Sequence, residues 1–550
     1  MKEIKISIDG KKEIKVSKRI CAYDILSEFE ENNDEIIAVK INNETCSLTQ
    51  VIDINCTLKP IYLKTHEGSA IYRRTLCFVL AAAAQELFPA KRLLVGHSLG
   101  YGYYYTFDSD FVLQQKDLEN LEKHMRKLIY ADHIIKQSYI SYNDAIELFE
   151  KLNLTETRKQ LNYICPPKVP INTLGDFCDL YFAPLLVSTG ILKLFELKLY
   201  QGGFLLRFPM TAKPDEISDF EDLPQLFSVY DRYKTWGKQL NVSSCASLNA
   251  LIHERKQKEF IDIVETFQNK TIADIADQIH EREGIRVILI AGPSSSGKTT
   301  TSKKLSMQLR ALGYTPQIIE LDTYYVGRDK TPLDENGDYD YECLEALDVA
   351  QLNQDLVALF NGKTIELPSY DFKDGKRFYT GNQMQLCKED ILILEGIHGL
   401  NDRLTPLLPN DIKFKIYLSA LTQLNLDDHN RISTSDNRLI RRIVRDSQFR
   451  GKTAVDTIKM WPSVQRGEKL HIYPFQGNAD AMLNTALDYE LAVLKMYAEP
   501  LLRAVNPNQV EYSEASRLLR FLSNFLPIPS NLVPGQSLIR EFIGGSDFKY

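Results

Sequence analysis

The run Gly292-Pro-Ser-Ser-Ser-Gly297-Lys298-Thr299 sets glycine, lysine and a hydroxyl at the spacing G-x-x-x-x-G-K-[ST]. Glycines let such a loop wrap back, so that several backbone N–H groups point at phosphate oxygens. A helix opening at Lys298 would aim the positive end of its dipole at the same spot. In this pattern Lys298 reaches the outer phosphates of ATP, and the Thr299 hydroxyl ligates Mg²⁺. Gly292, Ser294, Ser295, Ser296, Gly297 and Thr300 complete the expected nucleotide cradle. The motif needs a strand before it and a helix after it. Residues 286–291, in which five apolar residues follow Arg286, read as a strand and 299–312 as a helix, as required.

Three further groups fall where phosphoryl transfer needs them. The strand expected over 317–321 ends in Asp322, and ligands of open α/β sheets bind at the carboxyl ends of strands. A carboxylate there can accept a proton from a substrate hydroxyl; the bland alternative is a loop or helix-cap aspartate. The apolar run 391–394 ends in Glu395, placed to hold Mg²⁺ directly or through water. Arg441, Arg442 and Arg445 lie in RLIRRIVRD, followed by Arg450 and Lys452 in FRGK. On a helix, positions 441 and 445 share a face, and such a cluster can neutralise a transferring phosphoryl group rather than merely face solvent.

These residues must be held by alternating strands and helices. Strands are expected at 286–291, 316–321, 391–394 and 414–418, and helices at 299–312, 349–361 and 435–445. That alternation implies an α/β domain with a parallel sheet covered on both faces. Upstream, 4–8 and 14–16 alternate around Asp9-Gly10, a hairpin signal, and a helix-like stretch over 22–31 and short strands follow. Hairpin, helix, short strands is a β-grasp (ubiquitin-like) order. From 66 to 207 the pattern is α+β, with a buried helix over 70–87, an amphipathic helix over 117–136 and a hairpin over 191–207. A polar, helical connector broken early by Pro214 and Pro224 is expected over 208–284.

A chain of 550 residues exceeds a single core, so the protein is multidomain. The composition, 44% hydrophobic and 25% charged, excludes a disordered or fibrous chain. The net charge of −7 argues against a surface that is wholly a nucleic-acid clamp. Nine cysteines without a C-x-x-C pair argue against a disulfide framework or a four-cysteine zinc site. With no secretory h-region and no apolar stretch near membrane length, the reading is a cytoplasmic protein without a membrane segment.

Read together and in order, GPSSSGKTT, the 321–325 segment LDTYY, Asp338-Tyr-Asp340, Pro368-Ser-Tyr-Asp-Phe372, LEGIHGL and RRIVRDSQFRGK resemble the uridine kinase family of P-loop kinases, cousins of phosphoribulokinase and pantothenate kinase. The resemblance runs from about 285 to 505. It implies that Asp322 is the catalytic base toward a nucleoside 5′-hydroxyl. It implies that Asp340 with Arg442 binds the ribose hydroxyls, that Tyr370 and Phe372 lie beside the base, and that Arg445 and Arg450 close on the ATP phosphates. One element departs: the family's histidine after Y-D-F is missing, and Gly375 falls at about its place. A changed base-reading contact can change the substrate.

Residues 1–63 resemble the TGS domain of threonyl-tRNA synthetases. Residues 66–207 resemble the second additional domain of those enzymes, through VGHSLGYGYYYTFDSD and DFCDLYFAPLLVSTGILKLFELK. That domain clears mischarged tRNA with an H-x-x-x-H pair and a cysteine followed four residues on by histidine. Here the positions hold Arg74, Phe78, Cys178 and Phe182, so the editing chemistry is expected to be lost. The domain order expected is therefore 1–63, 66–207, a connector 208–284, a kinase domain 285–510, and a C-terminal helix and tail 511–550. The function expected is an ATP- and Mg²⁺-dependent ribonucleoside kinase. The alternatives are a P-loop kinase of another small alcohol or sugar phosphate, or a regulatory protein that contacts tRNA or RNA through its N-terminal half. Oligomerisation is left open.

Overall fold

The computed structural model describes all residues except 1–2, 11, 17–18, 30–34, 109–110, 336, 372–373 and 550. The chain divides into two units, each discontinuous in sequence. The first comprises Met1–Arg255, Thr422–Ser433 and Glu499–Pro527; the second comprises Lys256–Leu421, Thr434–Ala498 and Ile528–Tyr550.

In the first unit, Ile4–Ile8 and Lys12–Val16 pair antiparallel across Asp9 and Gly10, both at positive φ. Three residues, 9–11, separate the paired Ile8 and Lys12, a common hairpin loop length. Ile4–Ile8 also runs parallel to Cys56–Tyr62, which pairs antiparallel with Ile36–Ile41. The helix Ala22–Phe29 covers this sheet through Ile25 and Leu26, against Ile6, Val39 and Leu58. The helix His66–Leu87 is buried along most of its length, and Thr65 caps it by accepting from the Gly68 N–H. It packs on a four-stranded sheet of Glu196–Tyr200, Gly203–Arg207, Gly102–Phe107 and Leu93–Leu99. The helix read over 117–136 spans Gln115–Tyr130: its buried positions Leu118, Leu121, Met125 and Ile129 end there. The polar stretch over 208–284 holds three helices, Pro224–Gln239, Cys245–His253 and Gln257–Glu281, and Pro224 starts the first. At the start of a helix, proline costs no hydrogen bond. Residues up to Arg255 belong to the first unit and those from Lys256 to the second.

The second unit is built on a five-stranded parallel sheet in the order Thr315–Glu320, Asp390–Glu395, Val287–Ala291, Lys413–Ser419, Ala481–Asn484. Val287–Ala291 is buried throughout because helices cover both faces. Val287 and Leu289 enter one core with Leu352 and Leu356, while Ile288 and Ile290 enter the other with Leu305 and Leu309. The strand Ala481–Asn484 and the hairpin of Ile365–Asp371 with Lys376–Met384 add to the elements expected. Among the described residues, no helix is long and apolar enough to cross a membrane.

Candidate active site

The loop 292–297 leaves the central strand Val287–Ala291 and enters the helix Lys298–Ala311, so the motif has the strand–loop–helix setting it requires. Glycine is needed at both ends of the loop. A Cβ on Gly292 would lie 2.5 Å from the Leu418 carbonyl oxygen, and Gly297 caps the helix at φ +82°. The Ser295 and Ser296 hydroxyls are buried without hydrogen-bond partners among the described residues, as expected of a cradle that awaits acceptors. Lys298 Nζ is 3.5 Å from the Pro293 carbonyl oxygen, folded back over its own loop.

The helix Thr434–Phe449 holds the loop from the side. Arg438 donates to the Ser294 carbonyl at 3.1 Å, Arg441 to the Ser295 carbonyl at 3.2 Å, and Arg442 to the Ser294 hydroxyl at 2.8 Å. Arg438 and Arg441 are fully buried, and each is neutralised, Arg438 by Glu468 and Arg441 by Glu490 at 2.5 Å. Arg441 is therefore a brace of the loop and not a free phosphate ligand. Arg442, Arg445 and Arg450 gather on one buried carboxylate, Asp446, at 3.4, 3.4 and 3.6 Å. Three guanidiniums thus crowd one carboxylate, and Glu342 also acts on Arg442 and Glu541 on Arg445. Burial together with the neighbouring arginine depresses the Arg442 and Arg445 pKa values below the usual guanidinium range. That arrangement suits an incoming anion.

Glu395 closes the strand Asp390–Glu395, and its Oε1 accepts from the Thr299 hydroxyl at 3.0 Å. Its Oε2 is buried without a partner among the described residues. Burial, with Asp322, Glu320 and Glu541 nearby, pushes its pKa up to about 8 although Lys298 pulls the other way. An orphaned carboxylate oxygen beside a threonine hydroxyl fits a Mg²⁺ that takes one or two protein oxygens and completes its shell with phosphate and water. Among the described residues, no three His, Cys, Asp or Glu side chains form a metal cage.

The Glu395 environment carries a stability consequence. Its folded pKa lies above its unfolded value, so its contribution is full at low pH and is lost as pH rises from about 4.5 toward about 8. Glu395→Gln, which keeps the shape without the charge, should leave the melting temperature of the ligand-free protein nearly unchanged at pH 5. At pH 8.5 it should stabilise by roughly 1–3 kcal/mol, the range for a buried polar group relieved of an unmet demand. Calorimetry of both proteins across this pH range checks it; equal differences at both ends would contradict it.

Asp322 lies in the turn Leu321–Tyr324, directly after the edge strand Thr315–Glu320, and its charge raises the pKa of Glu395, Glu320 and Glu342. Asp340 accepts from the Glu342 N–H at 3.0 Å, and its other oxygen is 3.8 Å from His471 Nε2. The carboxylate whose charge faces Arg442 from this segment is Glu342: burial and Glu468 raise its pKa to about 7, while Arg442 and Lys298 lower it. Tyr370 packs on Tyr325 with ring centroids 5.5 Å apart. Phe372 lies outside the described residues. Gly375 sits at φ +67°, and a Cβ there would meet Arg328 Nε at 2.7 Å. Arg328 also donates to the Tyr341 hydroxyl at 3.4 Å. Gly375 is thus flanked by the Arg328 guanidinium, which Tyr341 holds through its hydroxyl.

Glu342, Glu468, Arg328 and Glu541 escape sequence reasoning because no motif frames them. Asp446 alone left a signal, as the acid that follows the arginine row.

In the first unit, Arg74 donates to the Pro184 carbonyl at 2.8 Å. Phe78 packs between Phe177 and Tyr181 at 5.4 and 5.5 Å, and Cys178 Sγ is 3.3 Å from the Thr173 hydroxyl. Phe182 is half-buried in a neighbouring apolar cluster. Asp179, next to Cys178, is fully buried and pairs at 2.7 Å with His429 from the segment Thr422–Ser433.

A phosphate loop at the carboxyl edge of a parallel sheet, braced by an arginine helix, defines a P-loop kinase fold. In agreement, residues 287–491 match the model of the Phosphoribulokinase / Uridine kinase family. A "Possible Uridine Kinase" from Bacillus stearothermophilus is 20% identical, with a TM-score of 0.27, covering 39% of this chain and 98% of that one. The N-terminal half matches threonine–tRNA ligases. The enzyme of Oleidesulfovibrio alaskensis is 29% identical over 225 residues, 39% of this chain and 35% of the ligase. That of Clostridioides difficile is 31% identical over 171 residues, 31% of this chain and 27% of the ligase. The chain thus spans about a third of the length of these relatives.

Proposed function

We propose that the protein is an ATP- and Mg²⁺-dependent kinase that phosphorylates the 5′-hydroxyl of a ribonucleoside. The observation that carries the reading is Glu395 beside the loop: one of its oxygens accepts from the Thr299 hydroxyl, the other is buried without a partner among the described residues, and an arginine cluster lies near. Loop N–H groups and Lys298 bind and orient the phosphates, Thr299 and Glu395 hold the metal, and the metal when bound spreads the charge of the phosphates. Asp322 takes the hydroxyl proton as the acceptor oxygen bonds to the γ-phosphorus and ADP leaves. Arg445 and Arg450 offset the charge on the transferring group, and Tyr370 and Phe372 sit beside the base. Asp340 and Arg442 bind the ribose diol, with Glu342 as a second carboxylate facing that arginine.

The test is a panel of acceptors with radiolabelled ATP. Ribonucleosides should beat their 2′-deoxy counterparts by about tenfold or more in kcat/KM, because a missing hydroxyl leaves buried polar groups unpaired. Equal values for a ribo/deoxy pair would remove the diol role. A sugar phosphate or another small alcohol as best substrate would keep the phosphoryl transfer and reassign the acceptor.

For the front half, the similarity to threonine–tRNA ligases supports a β-grasp TGS-like module over 1–63 and an editing-derived module over 66–207 that contacts tRNA or another RNA without hydrolysing it. The aromatic packing of Phe78 supports the loss of hydrolysis, since a phenyl ring offers a metal no lone pair. The domain order continues as the connector 208–284, the kinase 285–510 and the tail 511–550.

A further inference from the structure

The helix Lys298–Ala311 opens with N–H groups that have no partner within the helix. In a phosphate-binding loop these groups face the nucleotide. Here the Thr300 N–H donates to Glu541 Oε2 at 3.2 Å, and the Thr300 hydroxyl donates to the same oxygen at 2.7 Å. The Glu541 charge also acts on Arg445, one of the arginines gathered on Asp446. One carboxylate thus takes up an N–H, a hydroxyl and the field of a guanidinium, the set a phosphate would use.

The segment that carries Glu541 is anchored. Leu538, Ile539 and Phe542 are fully buried, and Leu538 covers Gly297 so closely that a Cβ there would meet it at 2.6 Å. The Phe542 ring lies 5.1 Å beneath the Arg441 guanidinium, and Tyr489 hydrogen-bonds Ser537 at 3.0 Å. Arg540 donates to the Ser530 and Val533 carbonyls at 2.8 and 2.7 Å, tying the strap to itself.

We propose that this strap is an autoinhibitory contact: Glu541 occupies a phosphate seat on Thr300, and a nucleotide enters the loop only by displacing it. The inference rests on the nucleotide reading of the loop given above. A carboxylate held on these donors competes for them and repels the phosphates, so the closed strap weakens nucleotide binding.

The experiment measures Mg·ADP binding by titration calorimetry to the full-length protein and to its Glu541→Ala, Glu541→Gln and Lys298→Ala variants, each checked for folding by its melting curve. ADP is used because it cannot be turned over. Glu541→Ala should bind about tenfold more tightly than wild type, and Glu541→Gln, which keeps an acceptor without the charge, should fall between. In wild type, ADP should speed hydrogen exchange of the amides over 538–547. Unchanged or weaker binding by both Glu541 variants would overturn the strap. So would slower exchange of 538–547 with ADP, which would make Glu541 part of the nucleotide site. If wild type and both Glu541 variants melt normally yet none binds ADP, the nucleotide reading itself falls and the strap with it. If ADP binds and is lost in Lys298→Ala, that reading stands whatever Glu541 does.

Discussion

Lys298→Ala is expected to lower the rate of phosphoryl transfer by a factor of about 10²–10³, with little change in melting temperature. Lys298 is half-buried and lies 3.5 Å from the Pro293 carbonyl oxygen of its own loop, so its removal opens no core cavity. What is lost is a cation aimed at charge that develops on the outer phosphates, and one such group lost from a preorganised site costs about 10²–10³. The same charge holds down the pKa values of Glu395 and Glu342. Without it both carboxyls keep their protons to higher pH, and Mg²⁺ must compete harder for Glu395. Steady-state turnover with saturating ATP and Mg²⁺, with circular dichroism on the same preparation, checks this. Near-wild-type turnover would mean that the loop is not the phosphate site.

Asp322→Asn should lower kcat by a factor of about 10²–10⁴, the range for removal of a general base, and leave the affinity for ATP nearly unchanged. The position favours the acceptor side: Asp322 follows the edge strand Thr315–Glu320, whereas Glu395 ends the next strand inward and touches Thr299. Asparagine keeps the size and accepts no proton. It also removes a negative charge that raises Glu395 and Glu342, so both carboxyls should ionise at lower pH in the variant. The pH profile of kcat separates the roles, because loss of a base removes the acidic limb. A loss confined to ATP or Mg²⁺ affinity would assign Asp322 to the metal.

Much of the site was legible because its signals are local. The apolar run 287–291, the glycines at 292 and 297 and the helical spacing after Lys298 each act within one strand or one turn, and the strand, loop and helix lie where those patterns put them. The hairpin of Ile365–Asp371 and Lys376–Met384 gave no such signal. Its second strand is mostly exposed, so it lacks the apolar alternation by which a half-buried strand is recognised. The helical period correctly set Arg441 and Arg445 on one face, yet the two differ in task. Arg441 is buried against Glu490 and the Thr485 carbonyl, while Arg445 shares Asp446 with two other guanidiniums. Periodicity reports a face but not what meets it.

The sequence by itself determined the phosphate loop, the parallel sheet that carries it and the acids at its strand ends, because backbone freedom, helix dipole and burial pattern are properties of neighbouring residues. Only the tertiary structure decided which groups meet across long separations: Glu468 with Arg438, Asp179 with His429 and Glu541 with Thr300. Each of those partners is, in sequence, an ordinary residue. Its role comes from burial, which forces a charge to find a counter-charge or a donor wherever the fold brings one.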